Sequence, residues 1–265
     1  MVHAFYSHIA PLYNEETYRF YYERCPFFRQ HKADRIRDLR HKAQSIGVWV
    51  LLETAWDRLG LCGHPNNTEG VFAYNLSHSG EYVLCAISDT DDHSLKIGCD
   101  VEIIKEAKLI LAKRFFAKDE YEKLLTFSDD KELLNRRFYR FWVLKESLMK
   151  ATGQGMKIPL DEVEIMWNIK DMPVLKGIPR NLGDAWYFRE FQIPTVDFES
   201  AVPDSGIKED FGIINEKGGG ASSSKIIDSI NRNEHLVDSA RVAICANKDI
   251  ISDRLTLITA FDTMR

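Results

Sequence analysis

Seven consecutive residues set the terms on which this chain folds. From Ile97 to Ile103 the apolar side chains Ile97, Cys99, Val101 and Ile103 alternate with Gly98, Asp100 and Glu102. That period of two predicts a half-buried strand. Asp100 and Glu102 therefore project from the same face. Carboxylates that close repel unless a cation or hydrogen-bond donors lie between them, so the pair calls for a hard metal ion or a basic partner.

A second periodic stretch predicts a helix over 129–152, stopped by Gly153-Gln154-Gly155. Phe138, Phe141, Trp142, Leu148 and Met149 form one apolar stripe, and Glu146 and Lys150, four apart, lie together along its edge. Lys145 falls inside the stripe, where a hydrated ammonium needs either a stem that reaches out to water or an anionic partner held at the seam. Taken singly, an Asp-x-Glu strand is commonly a solvated face and a Glu-Lys pair a helix-surface contact.

Together the two segments resemble the paired signatures of Sfp-type 4′-phosphopantetheinyl transferases, a Gly-x-Asp-hydrophobic-Glu strand and a Trp-x-x-Lys-Glu-[Ser/Ala]-x-x-Lys helix. Here they read Gly98-Cys99-Asp100-Val101-Glu102 and Trp142-Val143-Leu144-Lys145-Glu146-Ser147-Leu148-Met149-Lys150. The resemblance implies an α/β (α+β) fold, a pseudo-dimer of two similar subdomains with the active site in the cleft between them. The expected division is 1–96 for the coenzyme A 3′-phosphate and adenine side and 97–265 for the metal and catalytic signatures.

Further matches follow from the same resemblance. The run Arg29, Lys32, Arg35, Arg37, Arg40 and Lys42 is a local basic excess that by itself reads as an exposed helix face; the family places 3′-phosphate contacts here, and Arg29 and Lys32 match them. Gly63-His64-Pro65 resembles a Gly-Lys-Pro turn along the adenine, with His64 in place of the usual Lys, so Gly63 and Pro65 carry over. Asn75-Leu76-Ser77-His78-Ser79-Gly80 is expected as a Ser/Gly turn before an apolar strand from Tyr82 to Ile87, with His78 and Ser77 donating to a phosphate.

Elsewhere the pattern predicts a strand over 4–9, a helix capped by Asn14, a helix over 43–59, and two helices over 105–116 and 118–127. Further strands are expected over 163–169, 185–192, 241–247 and 255–261. Between them 196–240 is rich in Asp, Glu, Ser and Gly, the composition of a flexible insertion.

Composition narrows the functional classes. The chain has 265 residues, 45% of them hydrophobic, enough for one large core or two small ones. Its net charge of −5 argues against nonspecific nucleic-acid binding. Five scattered cysteines without close pairs do not read as a zinc site, and neither a leader-like start nor a long apolar run is present. The expectation is a cytoplasmic, soluble monomer, with no membrane or nucleic-acid partner.

The resemblance implies that Asp100, Glu102 and Glu146 hold Mg²⁺, and that Lys150 neutralises a phosphate of coenzyme A, with Lys145 either assisting or only supporting the helix. Glu146, directly or through a metal-bound water, is then the candidate base for a serine of an apo acyl or peptidyl carrier protein, and 3′,5′-ADP is released. Two alternatives remain open at the level of sequence: a metal-dependent nucleotide diphosphate hydrolase using the same carboxylates, and a noncatalytic protein that binds coenzyme A or a carrier.

Overall fold

The computed structural model describes residues 1–65, 72–183, 185–194 and 238–261. Strand β1 (Val2–His8) is followed by helices α1 (Glu15–Arg24), α2 (Phe27–Asp34) and α3 (Leu39–Arg58), then by the hairpin strands β2 (Tyr74–Ser79) and β3 (Tyr82–Ser88). Next come β4 (Ile97–Ile103), α4 (Leu109–Phe115), α5 (Lys118–Leu125) and α6 (Lys131–Thr152). The chain closes with β5 (Glu164–Trp167), β6 (Pro173–Gly177), β7 (Tyr187–Pro194), β8 (Asp238–Ala246) and β9 (Ile251–Leu257). The fold is α+β.

The first sheet runs β2-β3-β1-β9, with β1 antiparallel to β3 and parallel to β9, so it draws on both ends of the chain. Helix α3 packs against it. Asp38 starts that helix by accepting from the His41 N–H at 2.9 Å, and Trp49, Leu51, Leu52 and Trp56 bury one side against Phe5, Val83, Cys85 and Ile87. Asn14 caps α1 as expected, accepting from the Thr17 N–H at 3.0 Å.

The second sheet runs β4-β8-β7, antiparallel throughout, with α6 lying on it. Asp130 caps α6 through the Leu133 N–H at 2.9 Å, and Gly153, at φ 67°, ends it in the left-handed region that a residue without Cβ enters at no cost. The apolar stripe of α6, including Phe138, Phe141, Leu144 and Leu148, buries against Phe188, Ala243 and Cys245. A third apolar cluster, among them Ala4, Leu84, Ala86, Val101, Val242 and Ile244, joins the opposite faces of the two sheets.

At one point the contact between α6 and β4 is backbone to backbone. A Cβ on Gly98 would stand 1.9 Å from the Ser147 carbonyl oxygen and 2.4 Å from the Ala151 nitrogen. Only glycine fits there.

The structure departs from the sequence expectations in several places. Residues 75–79 are a strand, β2, and not a turn: they pair with β3 from Tyr74↔Ile87 to Ser79↔Tyr82, and the turn is confined to Gly80 and Glu81. Its polar residues misled the pattern because β2 is an edge strand whose side chains make hydrogen bonds of their own. The helix expected over 105–116 forms only from Leu109, since the Ala107 N–H is taken by the Asn135 side chain at 2.8 Å. The last strand begins at Ile251, four residues before Leu255. Strand β6 was not foreseen. The insertion expected over 196–240 lies outside the described residues apart from the start of β8.

Candidate active site

Strand β4 brings Asp100 and Glu102 to one face, and Gly98 lets α6 settle close enough to bring Glu146 and Lys150 beside them. Asp100 is 4% exposed. Its Oδ1 accepts from Lys150 Nζ at 2.7 Å and from Ser77 Oγ at 3.0 Å, while its Oδ2 is buried with no hydrogen-bond partner. Burial pushes the Asp100 carboxyl up, against the pull of Lys150 and Ser77. Glu102, half-buried, accepts from Ser79 Oγ at 2.7 Å; burial and the Asp100 charge push it up.

Glu146 shares this field. Burial, then the charges of Asp100 and Glu102, push its carboxyl up to about 7, with Lys150 opposing. Lys150 also donates to the Cys99 carbonyl at 3.1 Å; burial would lower its pKa, but the Asp100 carboxylate outweighs this and holds it raised. Three carboxyl groups thus share one ammonium, an excess of negative charge in a partly desolvated place.

Among the described residues, no group of three His, Cys, Asp or Glu side chains is gathered tightly enough to hold a metal ion. The donor set nonetheless fits a hard divalent cation. The orphaned buried Asp100 Oδ2 is an oxygen ligand without a partner, and the mutual repulsion of the acids is the instability that such a cation removes.

Beside the acids stands a basic cluster. Arg29, on α2, is buried, its guanidinium 5.1 Å from the Trp49 ring centroid, and its Nε has no hydrogen-bond partner. Burial and then Arg29 lower the pKa of the exposed Lys32. His78, at the solvent-facing side of β2, is lowered by desolvation and by the charges of Lys150, Lys32 and His41. Neither Arg29 nor Lys32 forms a salt bridge among the described residues, so this corner presents positive charge without internal compensation.

A chain of contacts leads from this cluster to the turn at 63–65. The Trp49 indole N–H donates to Glu53 Oε1 at 2.7 Å, and that oxygen lies 3.3 Å from His64 Nε2. Glu53, Trp56, His64 and Pro65 line a cavity of about 300 Å³. His64 and Pro65 therefore border a depression at the end of α3, while Gly63, at the start of the same turn, does not line it.

The structure settles the surroundings of one serine and one lysine that the sequence singled out. Ser77 is buried, its hydroxyl engaged with Asp100 and Lys150, the latter at 2.9 Å. Lys145 is 1% exposed and faces away from the acids: its ammonium pairs with Glu120 at 2.8 Å and donates to the Leu160 and Val163 carbonyls at 2.7 and 2.5 Å. Of the two explanations open for a lysine in the stripe, the anionic partner is the one found. Glu120 and Ser79 were not singled out from sequence; the period-two row Asn75, Ser77, Ser79 was the legible signal for the latter.

The chain is similar in sequence to several known proteins. The family model described as the 4′-phosphopantetheinyl transferase superfamily matches residues 96–202. The chain is 33% identical over 174 residues to 4′-phosphopantetheinyl transferase Sfp of Bacillus subtilis, covering 61% of this chain and 67% of that protein. It is 34% identical over 140 residues to 4′-phosphopantetheinyl transferase HetI of a Nostoc species, covering 52% and 54%. A mouse L-aminoadipate-semialdehyde dehydrogenase-phosphopantetheinyl transferase is 34% identical over 101 residues, covering 35% and 31%.

Proposed function

Since the chain belongs to the 4′-phosphopantetheinyl transferase superfamily, we propose that Asp100, Glu102, Glu146 and Lys150 carry its reaction, transfer of the 4′-phosphopantetheine arm of coenzyme A to a carrier-protein serine. The observation that carries this assignment is the buried, partnerless Asp100 Oδ2 set among two further acids and one lysine. Asp100, Glu102 and Glu146 would hold Mg²⁺, which when bound supplies neutralisation and alignment of the pyrophosphate.

The chain's own residues do the rest. Arg29 and Lys32 form a positive corner suited to the 3′-phosphate, with His78 beside them as a neutral ring that can donate an N–H, and Pro65, in the turn that Gly63 opens, lines the depression suited to the adenine. Lys150, held between Asp100 and Ser77, presents an ammonium that can turn to a phosphate oxygen as negative charge arrives. The serine oxygen attacks the phosphorus on the pantetheine side. The bond from that phosphorus to the bridging oxygen breaks, and 3′,5′-ADP leaves with the electron pair. Glu146 takes the serine proton, from its place beside Asp100 and Glu102. Lys145 acts only through the fold.

The architecture supports a pseudo-dimer of two α/β subdomains. Each half is one long helix on a sheet, α3 on β2-β3-β1-β9 and α6 on β4-β8-β7, and the acids and the basic cluster meet where the edge strands β2 and β4 adjoin. Among the described residues no helix is long and apolar enough to cross a membrane.

The test is to incubate the protein with coenzyme A, Mg²⁺ and apo acyl or peptidyl carrier proteins, and to weigh the carriers. A gain of one phosphopantetheine arm, abolished by EDTA, is expected. Cleavage of coenzyme A with no arm on any carrier would instead make the protein a hydrolase.

A further inference from the structure

Strands β2 and β4 are both sheet edges, and an edge strand exposes N–H groups that need partners. The backbone of β2 does not supply them; its side chains do. Asn75 Oδ1 accepts from the Cys99 N–H at 3.0 Å, Ser77 Oγ from the Val101 N–H at 3.4 Å, and Ser79 Oγ from the Ile103 N–H at 3.3 Å. Every second residue of one strand thus meets every second residue of the other, in constant register.

The two serines do more than close the edge. A hydroxyl has one proton and two lone pairs, so an oxygen that accepts from the main chain still has a proton to give. Ser77 gives its proton to Asp100 and Ser79 to Glu102, in each case to the residue just before the N–H it accepts from. At the matching place opposite Asn75 stands Gly98, where α6 descends and no side chain fits. The row Asn75-x-Ser77-x-Ser79 is therefore read against Gly98-x-Asp100-x-Glu102, position by position.

We propose that Ser79 is a positioning residue for Glu102: its hydroxyl, anchored by the Ile103 N–H, fixes the orientation in which Glu102 meets the metal. The inference rests on Glu102 being a metal ligand. Ser77 does the same for Asp100 but also touches Lys150, so Ser79 is the cleaner test. A ligand carboxylate that loses its hydrogen-bonded support commonly loses about 10–100-fold in metal affinity.

The experiment titrates the protein with Mn²⁺ alone, by calorimetry and electron paramagnetic resonance, for wild type, Ser79→Ala, Ser79→Thr, Glu102→Gln and the Ser79→Ala/Glu102→Gln double variant. Ser79→Ala should bind Mn²⁺ at least tenfold more weakly, Ser79→Thr should restore binding because it keeps the hydroxyl, and Ser79→Ala should add nothing in the Glu102→Gln background. Wild-type binding matched by Ser79→Ala would overturn the positioning role and leave the metal site standing. Equal losses with and without Glu102 would also overturn it, as would failure of Ser79→Thr to restore binding, since the serine would then only hold the strands together. If wild type binds no Mn²⁺, the metal assignment itself fails and the role of Ser79 with it.

Discussion

The backbone of Ser147 passes so close to Gly98 that a Cβ on the glycine would stand 1.9 Å from the Ser147 carbonyl oxygen. Ser147 lies between Glu146 and Lys150 on α6, and Gly98 lies two residues before Asp100 on β4. The closeness of helix and strand is thus what sets the distance between the acids and the lysine. Gly98→Ala should push α6 off the sheet, costing about 1–3 kcal/mol or more, and should displace Glu146 and Lys150. A fall in melting temperature accompanied by a loss of transfer activity larger than the unfolded fraction explains is the expected result. Wild-type activity in a well-folded Gly98→Ala protein would contradict it.

The two lysines of the helix signature should fail in different ways. Lys145 is sealed against Glu120, whose carboxylate also accepts from the Ile165 N–H at 2.7 Å and the Ala117 N–H at 2.8 Å. Lys145→Met leaves that carboxylate buried without its cation, a loss of about 3–5 kcal/mol, and adding Glu120→Gln should recover part of it. Lys150→Met should abolish transfer, and the buried Asp100 it leaves without a cation belongs to the proposed metal site, so its stability cost should show in EDTA and be recovered by Mg²⁺, as that of Lys145→Met should not. Denaturant melts alongside transfer assays separate the two; a stable but inactive Lys145→Met would return that lysine to the chemistry.

What the sequence made legible follows from the reach of its signals. The alternation from Ile97 to Ile103 marks β4 to the residue, and α6 begins within two residues of its expected start, because each pattern is written by one element facing one core. Strand β2 was hidden since Asn75, Ser77 and Ser79 are polar for a tertiary reason, the unpaired edge of β4. The partner of Lys145 was hidden too. Glu120 lies 25 residues earlier on another helix, and no local periodicity connects them.

The basic corner should answer to the 3′-phosphate alone. Lys32 is exposed and makes no salt bridge among the described residues, so Lys32→Ala should leave the fold intact. Loss of one charge-assisted contact, about 1.5–3 kcal/mol, raises the coenzyme A KM roughly tenfold or more. The KM for dephospho-coenzyme A, which lacks that phosphate, should be unchanged by the substitution. Equal losses for both substrates would move Lys32 away from the 3′-phosphate. Arg29→Ala is the poorer probe, since its guanidinium also packs on Trp49.

Glu146 gives the metal-free protein a pH dependence of definite sign. Burial and the charges of Asp100 and Glu102 raise its carboxyl from 4.5 to about 7. Between those values the folded chain holds a proton that the unfolded chain has released, so stability falls as pH rises through the window and is level above it. Asp100 and Glu102 are raised in the same direction, which makes the difference between two proteins, rather than one slope, the informative quantity. In EDTA, the melting temperature of wild type should therefore decline more steeply than that of Glu146→Gln from about pH 4.5 to about pH 7. Above the window the variant should be the more stable of the two. Mg²⁺ competes with protons for the same oxygens, so it should raise the wild-type melting temperature more near pH 7 than near pH 5 and the Glu146→Gln temperature less at both. Parallel slopes for the two proteins in EDTA would mean that Glu146 does not share the field of Asp100 and Glu102, and would remove it from the metal site and from the role of base together.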